Sequence, residues 1–134
     1  MDASSALDRM IERTGAPVLG TRDVTQETAH GDWILLFAGD PSGRPEVADL
    51  AVILPEIVKD RAGALKFAVI DRSDEEALAA EMGVFVRPTL VFLREGAVMG
   101  VIPRVKDWGY YAQMLDEYLP LTTQPTKQQG RAGA

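Results

Sequence analysis

Apolar residues along this chain alternate between two rhythms. One continuous apolar run of strand length, Trp33 to Phe37, has the character of a strand buried on both faces, and Leu65 to Ile70, Thr89 to Leu93 and Ala97 to Ile102 also read as strands. Around them the spacing is helical. Leu7, Met10, Ile11 and Thr14 share one face of a first helix, with Ser5 as its expected N-cap and Gly15 as its stop. Pro17-Val18-Leu19 predicts a short edge strand, where proline is tolerated, and a short helix is expected from Thr25 to near His30-Gly31. Glu46 opens a longer helix in which Val47, Leu50, Ala51, Leu54, Ile57 and Val58 form one stripe. Pro55 removes a hydrogen bond to the Ala51 carbonyl and predicts a kink. Ser73-x-x-Glu76 predicts a capping box for a short helix that Gly83 closes in a left-handed turn. Arg94-Glu95-Gly96 predicts a hairpin, and Asp107 caps a last helix with Trp108, Tyr111, Ala112, Leu115, Tyr118 and Leu119 on one face.

This order, αβαβαβαββα, predicts one α/β domain with a mixed central sheet flanked by helices. The expected domain is residues 1–120, and 121–134 (LTTQPTKQQGRAGA) is expected to be a disordered tail. The 134 residues carry 14 basic and 20 acidic side chains. Lys127 and Arg131 lie in the tail, so the domain keeps 12 basic against 20 acidic residues, a net charge of −8. That charge disfavours nucleic acid and anionic membranes and favours cationic partners, although an acidic surface also serves solubility alone. The apolar runs are too short to span a bilayer. The acidic start Met1-Asp2-Ala3-Ser4-Ser5 leads into no apolar segment, so a cytoplasmic location is expected.

Candidate chemistry narrows quickly. The chain has no cysteine, and thiol–disulfide exchange needs one sulfur to attack and another to leave. Ser42, in the turn-rich loop Ala38 to Pro45, would need an adjacent base and an oxyanion hole to act as a nucleophile. The only histidine is His30, at a predicted helix end, so Ser42 reads as a turn residue. Asp40, Glu46 and Asp49 lack the tight Asp/Asn repeat with a glycine turn of a calcium loop. Glu46 and Asp49 instead oppose the dipole of the helix they begin, as do Asp74, Glu75 and Glu76 in the next one. No phosphate loop or cofactor motif is present, so no cofactor, no metal and no enzymatic activity are expected. Trp108, Tyr111 and Tyr118 are expected to pack on the sheet.

Three segments together resemble thioredoxin: Leu54-Pro55-Glu56-Ile57, like the proline of its active-site helix, Phe67-Ala68-Val69-Ile70-Asp71, like its central strand, and Gly83-Val84-Phe85-Val86-Arg87-Pro88-Thr89-Leu90, like the run into its cis-proline. The likeness covers roughly residues 30–120. The departure precedes the helix proline, where the positions matching the two cysteines fall around Val47 to Leu50 and the loop before them is longer. Gly39-Asp40-Pro41-Ser42-Gly43-Arg44-Pro45-Glu46-Val47, with Gly83-Val84-Phe85, resembles a narrower family, the thioredoxin-like hydrogenase accessory proteins of the HyaE/HupG/HoxO type. That resemblance implies a cysteine-independent cytoplasmic assembly factor for membrane-bound nickel–iron hydrogenase. Its implied partners are the hydrogenase small-subunit precursor with its twin-arginine signal peptide, before export, and other hydrogenase accessory proteins.

The thioredoxin likeness also implies a cis Arg87–Pro88 bond whose neighbouring backbone pairs with an extended peptide by strand addition. The expected partner-binding residues are therefore Asp40, Glu46 and Asp49, as carboxylates for an arginine-containing segment, with Arg87 and Pro88 as backbone contacts. The alternative is a generic thioredoxin-fold scaffold for protein interaction or oligomerisation, without signal-peptide binding.

Overall fold

The alternation of side chains along a strand explains the architecture. Ile34 and Leu36 point to one face of strand β2 (Asp32–Phe37) and Trp33, Leu35 and Phe37 to the other, and all five are buried. A strand apolar on both faces needs cover on both, so helices lie above and below the sheet. The structure, a computed structural model, describes residues 3–40, 45–61 and 63–121. Its elements are α1 (Ala3–Thr14), β1 (Val18–Leu19), α2 (Val24–Glu27), β2, α3 (Pro45–Lys59), β3 (Leu65–Ile70), a 3-10 turn (Arg72–Asp74), α4 (Glu75–Met82), β4 (Thr89–Arg94), β5 (Ala97–Pro103) and α5 (Trp108–Tyr118).

The five strands lie in the order β1-β3-β2-β4-β5. The first three are mutually parallel, and β4 and β5 are antiparallel to their neighbours. One core joins α1, α3 and α5 through Leu7, Met10, Leu50, Leu54, Tyr111 and Leu115. The other joins α2 and α4 through Val24, Leu78 and Ala79. The layout is the expected mixed-sheet α/β domain, and α3 passes through Pro55 without ending.

Several local expectations change. Helix α1 begins at Ala3, which puts Ser5 inside its first turn rather than at the N-cap. Helix α2 is a single turn beginning at Val24. The capping box at Ser73 does not form: Asp71 accepts hydrogen bonds from the Ser73 N–H (3.0 Å) and hydroxyl (2.9 Å), winding a 3-10 turn ahead of α4. Asp74, next to α4, instead accepts the Thr21 N–H at 2.8 Å. Gly83 ends α4 in the left-handed region (φ 76°), as its position requires. Asp107 caps α5 by accepting the Tyr110 N–H at 2.9 Å. On α5, Tyr111, Leu115 and Leu119 are buried and Tyr118 covers Gly100. Trp108 and Ala112 are exposed, contrary to expectation. Trp108 is the first residue of the helix, beyond the strand end at Pro103.

Two arginines fasten the end of α5. Arg61, itself buried, donates to the Leu119 carbonyl and to Asp116 (3.1 Å). Arg94 forks onto Asp32 (2.8 and 2.9 Å) and donates to the Pro120 carbonyl (2.7 Å). Beyond Leu121 the expected tail lies outside the described residues. Among the described residues no helix is long and apolar enough to cross a membrane.

The Arg61 clasp gives a direct prediction. Arg61→Ala leaves a buried helix-end carbonyl unpaired, which costs about 1–3 kcal/mol. Asp116→Asn removes only the charge of an exposed partner and keeps an acceptor oxygen, and costs at most about 1 kcal/mol. Urea unfolding of the two variants checks the difference.

Candidate functional site

Strand register decides which loops meet. Phe37, the last residue of β2, pairs with Thr89, the first of β4, and Thr89 pairs with Pro103, the last of β5. The chain leaving β2, the chain entering β4 and the chain leaving β5 therefore converge at one end of the sheet. The Arg87–Pro88 bond at this end is cis, as the resemblance implied.

Each converging segment is fixed by a different contact. Glu75, the first residue of α4, is buried. It accepts the Gly39 N–H (3.0 and 3.2 Å) on one side and the Arg87 Nε–H (2.8 Å) on the other. The Arg87 guanidinium also lies 5.9 Å from the centre of the Phe37 ring, within cation–π range. The Pro88 carbonyl accepts the Arg104 N–H at 2.8 Å. The Arg104 side chain forks onto Glu46 at 2.9 and 2.5 Å. The Tyr111 hydroxyl accepts the Lys106 N–H at 2.9 Å and donates to the Arg104 carbonyl at 3.5 Å. Burial pushes the Tyr111 phenol above its ordinary value near 10, opposed by the Lys106 hydrogen bond.

Of the expected site residues, Asp40, Glu46, Arg87 and Pro88 lie at this end. Asp40 follows Gly39, is exposed, and lies 3.5 Å from Arg72. Glu46 is half-buried and engaged by Arg104. Asp49 is exposed on α3. Arg87 turns its guanidinium inward to Glu75, and Pro88 is buried. Beside Gly39 a cleft of about 410 Å³ opens between α1 and the ends of β1 and β3, with Leu7, Ile11, Val69, Asp40 and Arg72 in its lining.

Ser42 lies outside the described residues. His30 precedes β2, whereas Gly39 follows it. A six-residue strand, about 20 Å long, separates them. The His30 ring faces Glu95 of the β4–β5 hairpin at 3.7 Å. Among the described residues no three histidines or carboxylates gather as a metal-holding group.

A family profile described as "Hydrogenase-1 expression protein HyaE" matches residues 6–111. The chain belongs to the HyaE family. It is 36% identical over 121 residues to the hydrogenase expression/formation protein HupG of Rhizobium leguminosarum bv. viciae, covering 86% of this chain and 81% of that protein. It is 34% identical over 120 residues to the hydrogenase expression/formation protein HoxO of Cupriavidus necator, covering 87% and 74%. The match to HupG of Bradyrhizobium diazoefficiens reaches 43% over 86 residues, and the chain spans 58% of that relative's length. Among solved structures, a point-mutant thioredoxin from Halobacterium salinarum superposes with a TM-score of 0.65 at 19% identity, covering 81% of this chain and 93% of that one. At that identity the likeness shows the fold: the HyaE-family chain is thioredoxin-like.

Sequence reasoning missed Glu75 and assigned it only to the helix dipole. A signal was present, since Glu75, Leu78, Ala79 and Met82 fall at the i, i+3, i+4, i+7 positions of one helix face. Leu78 and Ala79 are buried with it, and Met82 is half-buried.

The contacts at this end can be tested one at a time. Glu75→Ala removes the buried carboxylate that the Arg87 guanidinium and the Gly39 N–H share and costs about 3 kcal/mol, measured by denaturant unfolding. Tyr111→Phe loses the hydroxyl contacts and costs about 1 kcal/mol at neutral pH. Because the folded phenol titrates above the unfolded one, its contribution is full below pH 10 and is lost as pH rises through the folded value. Unfolding curves at about pH 7 and about pH 11 should show a smaller alkaline loss in Tyr111→Phe.

Proposed function

We propose that this HyaE-family chain is a non-redox, non-enzymatic assembly factor. It binds a hydrogenase small-subunit precursor and its twin-arginine signal peptide in the cytoplasm, before export. The observation that carries this reading is a thioredoxin-like end where three segments converge on Pro88, in a chain with no cysteine for exchange. The relatives' shared description as hydrogenase expression/formation proteins points to the partner. Asp40, Glu46 and Asp49 receive the arginines, and the backbone beside Arg87 and Pro88 receives the extended chain.

Arg104 and Arg72 already engage Glu46 and Asp40. An incoming guanidinium therefore exchanges with an internal one, so these carboxylates select for arginine more than they add affinity. Exposed pairs contribute about 0.2–1 kcal/mol each. Replacing both arginines of the signal peptide with glutamine should weaken binding roughly two- to thirtyfold. The loss should shrink as salt rises. Calorimetric titration of the two peptides is the test. Equal affinities would remove the arginine role and favour a scaffold without signal-peptide binding.

A further inference from the structure

The loop into the cis-proline is pinned at alternate points and leaves one large apolar side chain outside. Val84 is buried, and its N–H bonds the Ala79 carbonyl at 2.9 Å. The Val86 carbonyl accepts the Thr89 hydroxyl at 2.9 Å, and Arg87 is held by Glu75. Between these anchors Phe85 is 92% exposed and Val86 is 42% exposed. Phe85 has the greatest exposure of any large hydrophobic among the described residues. A fixed aromatic left in water beside the fold's peptide-binding end has no structural work to do in the isolated domain.

We infer that Phe85, with Val86, is the apolar anchor for an extended non-polar peptide segment that carries basic residues at one end. The inference deepens the reading above and rests on it for the direction of the peptide. Charge decides between this occupant and a second copy of the chain. Arg87 leads through Glu75 to Gly39 and the neighbouring Asp40, and Pro88 leads through Arg104 to Glu46. Each of these carboxylates is paired within the chain, Asp40 with Arg72, Glu75 with Arg87 and Glu46 with Arg104, while the chain as a whole carries a net charge of −6. Two copies of the chain repel through that net charge, whereas a basic-flanked apolar segment is attracted by it.

The anchor supplies what exchanged ion pairs cannot. Covering a phenylalanine side chain removes a large non-polar area from water, while a strand-adding peptide beside Pro88 fixes the segment's course past it.

The probe is the synthetic peptide acetyl-Arg-Arg-Leu-Ala-Leu-Ala-Leu-Ala-amide, compared with the same peptide carrying serine in place of leucine. Both are titrated into the full chain by NMR or calorimetry. The wild-type chain should prefer the leucine peptide by about tenfold or more. Phe85→Ser should abolish the preference. Val98→Ser, at the far end of β5 and 43% exposed, should retain it. Both variants change exposed positions, so their melting temperatures should stay close to wild type. No preference in the wild type, or a preference kept in Phe85→Ser, would overturn the inference. So would sedimentation showing a wild-type dimer that Phe85→Ser dissolves, since the surface would then belong to a second copy. Leucine preference here, with no binding of the precursor peptide in the earlier titration, would overturn the hydrogenase reading and support the apolar anchor.

Discussion

A single buried carboxylate holds in shape the end of this domain where the cis-proline loop meets the exits of two strands. Glu75 shares a helix face with the core residues Leu78 and Ala79, where an unpaired charge would cost several kcal/mol. It is tolerated because the Gly39 N–H and the Arg87 guanidinium both donate to it. The same contacts tie the first residues after β2 to the last residues before β4. Strand pairing alone brings Phe37 opposite Thr89; Glu75 fixes what the chain does beyond those strand ends.

A second fastening, independent of the first, works from the other side. Arg104 uses its backbone N–H on Pro88 and its side chain on Glu46, so the exit of β5 is bound both to the proline loop and to the start of α3. Tyr111 anchors the same stretch from α5. The two networks engage Glu46 and Arg87 within the chain, and Arg72 separately engages Asp40. In the reading proposed above, an arginine-bearing partner exchanges with these internal pairs, which favours discrimination between partners over raw affinity. On that proposal non-polar contact carries most of the binding, and Phe85 is the most exposed large hydrophobic among the described residues.

The loop from Gly83 to Thr89 shows how one local motif divides its labour. Gly83 supplies the left-handed turn out of α4, Val84 enters the core, and Thr89 begins a strand. Phe85 and Val86, between these anchors, face water. Residues that build the fold and residues proposed to bind thus occupy neighbouring positions of the same short stretch.

Periodicity along the chain was enough to determine the elements, because each one reports its own burial through the spacing of its apolar side chains. The two-sided run Trp33 to Phe37, the stripe on α3, Gly83 and the Asp107 cap were all legible from neighbours a few residues away. The absence of cysteine excluded redox exchange without any structure. Residues near one another in sequence also carried the family resemblance. What local spacing could not contain were partners chosen by tertiary register. Glu75 meets Gly39 across 36 residues and Arg104 meets Glu46 across 58, so carboxylates that look alike as helix-start charges become a buried tie in one case and an exposed fork in the other. Asp71 took the cap from Ser73, Trp108 left the packed face of its helix, and Phe85 rather than Val84 turned to solvent. The Asp71 cap is a contact between residues two apart, which the competing Ser73 box hid; the exposure of Trp108 and Phe85 was decided only by the folded structure, because it depends on which atoms lie across the gap.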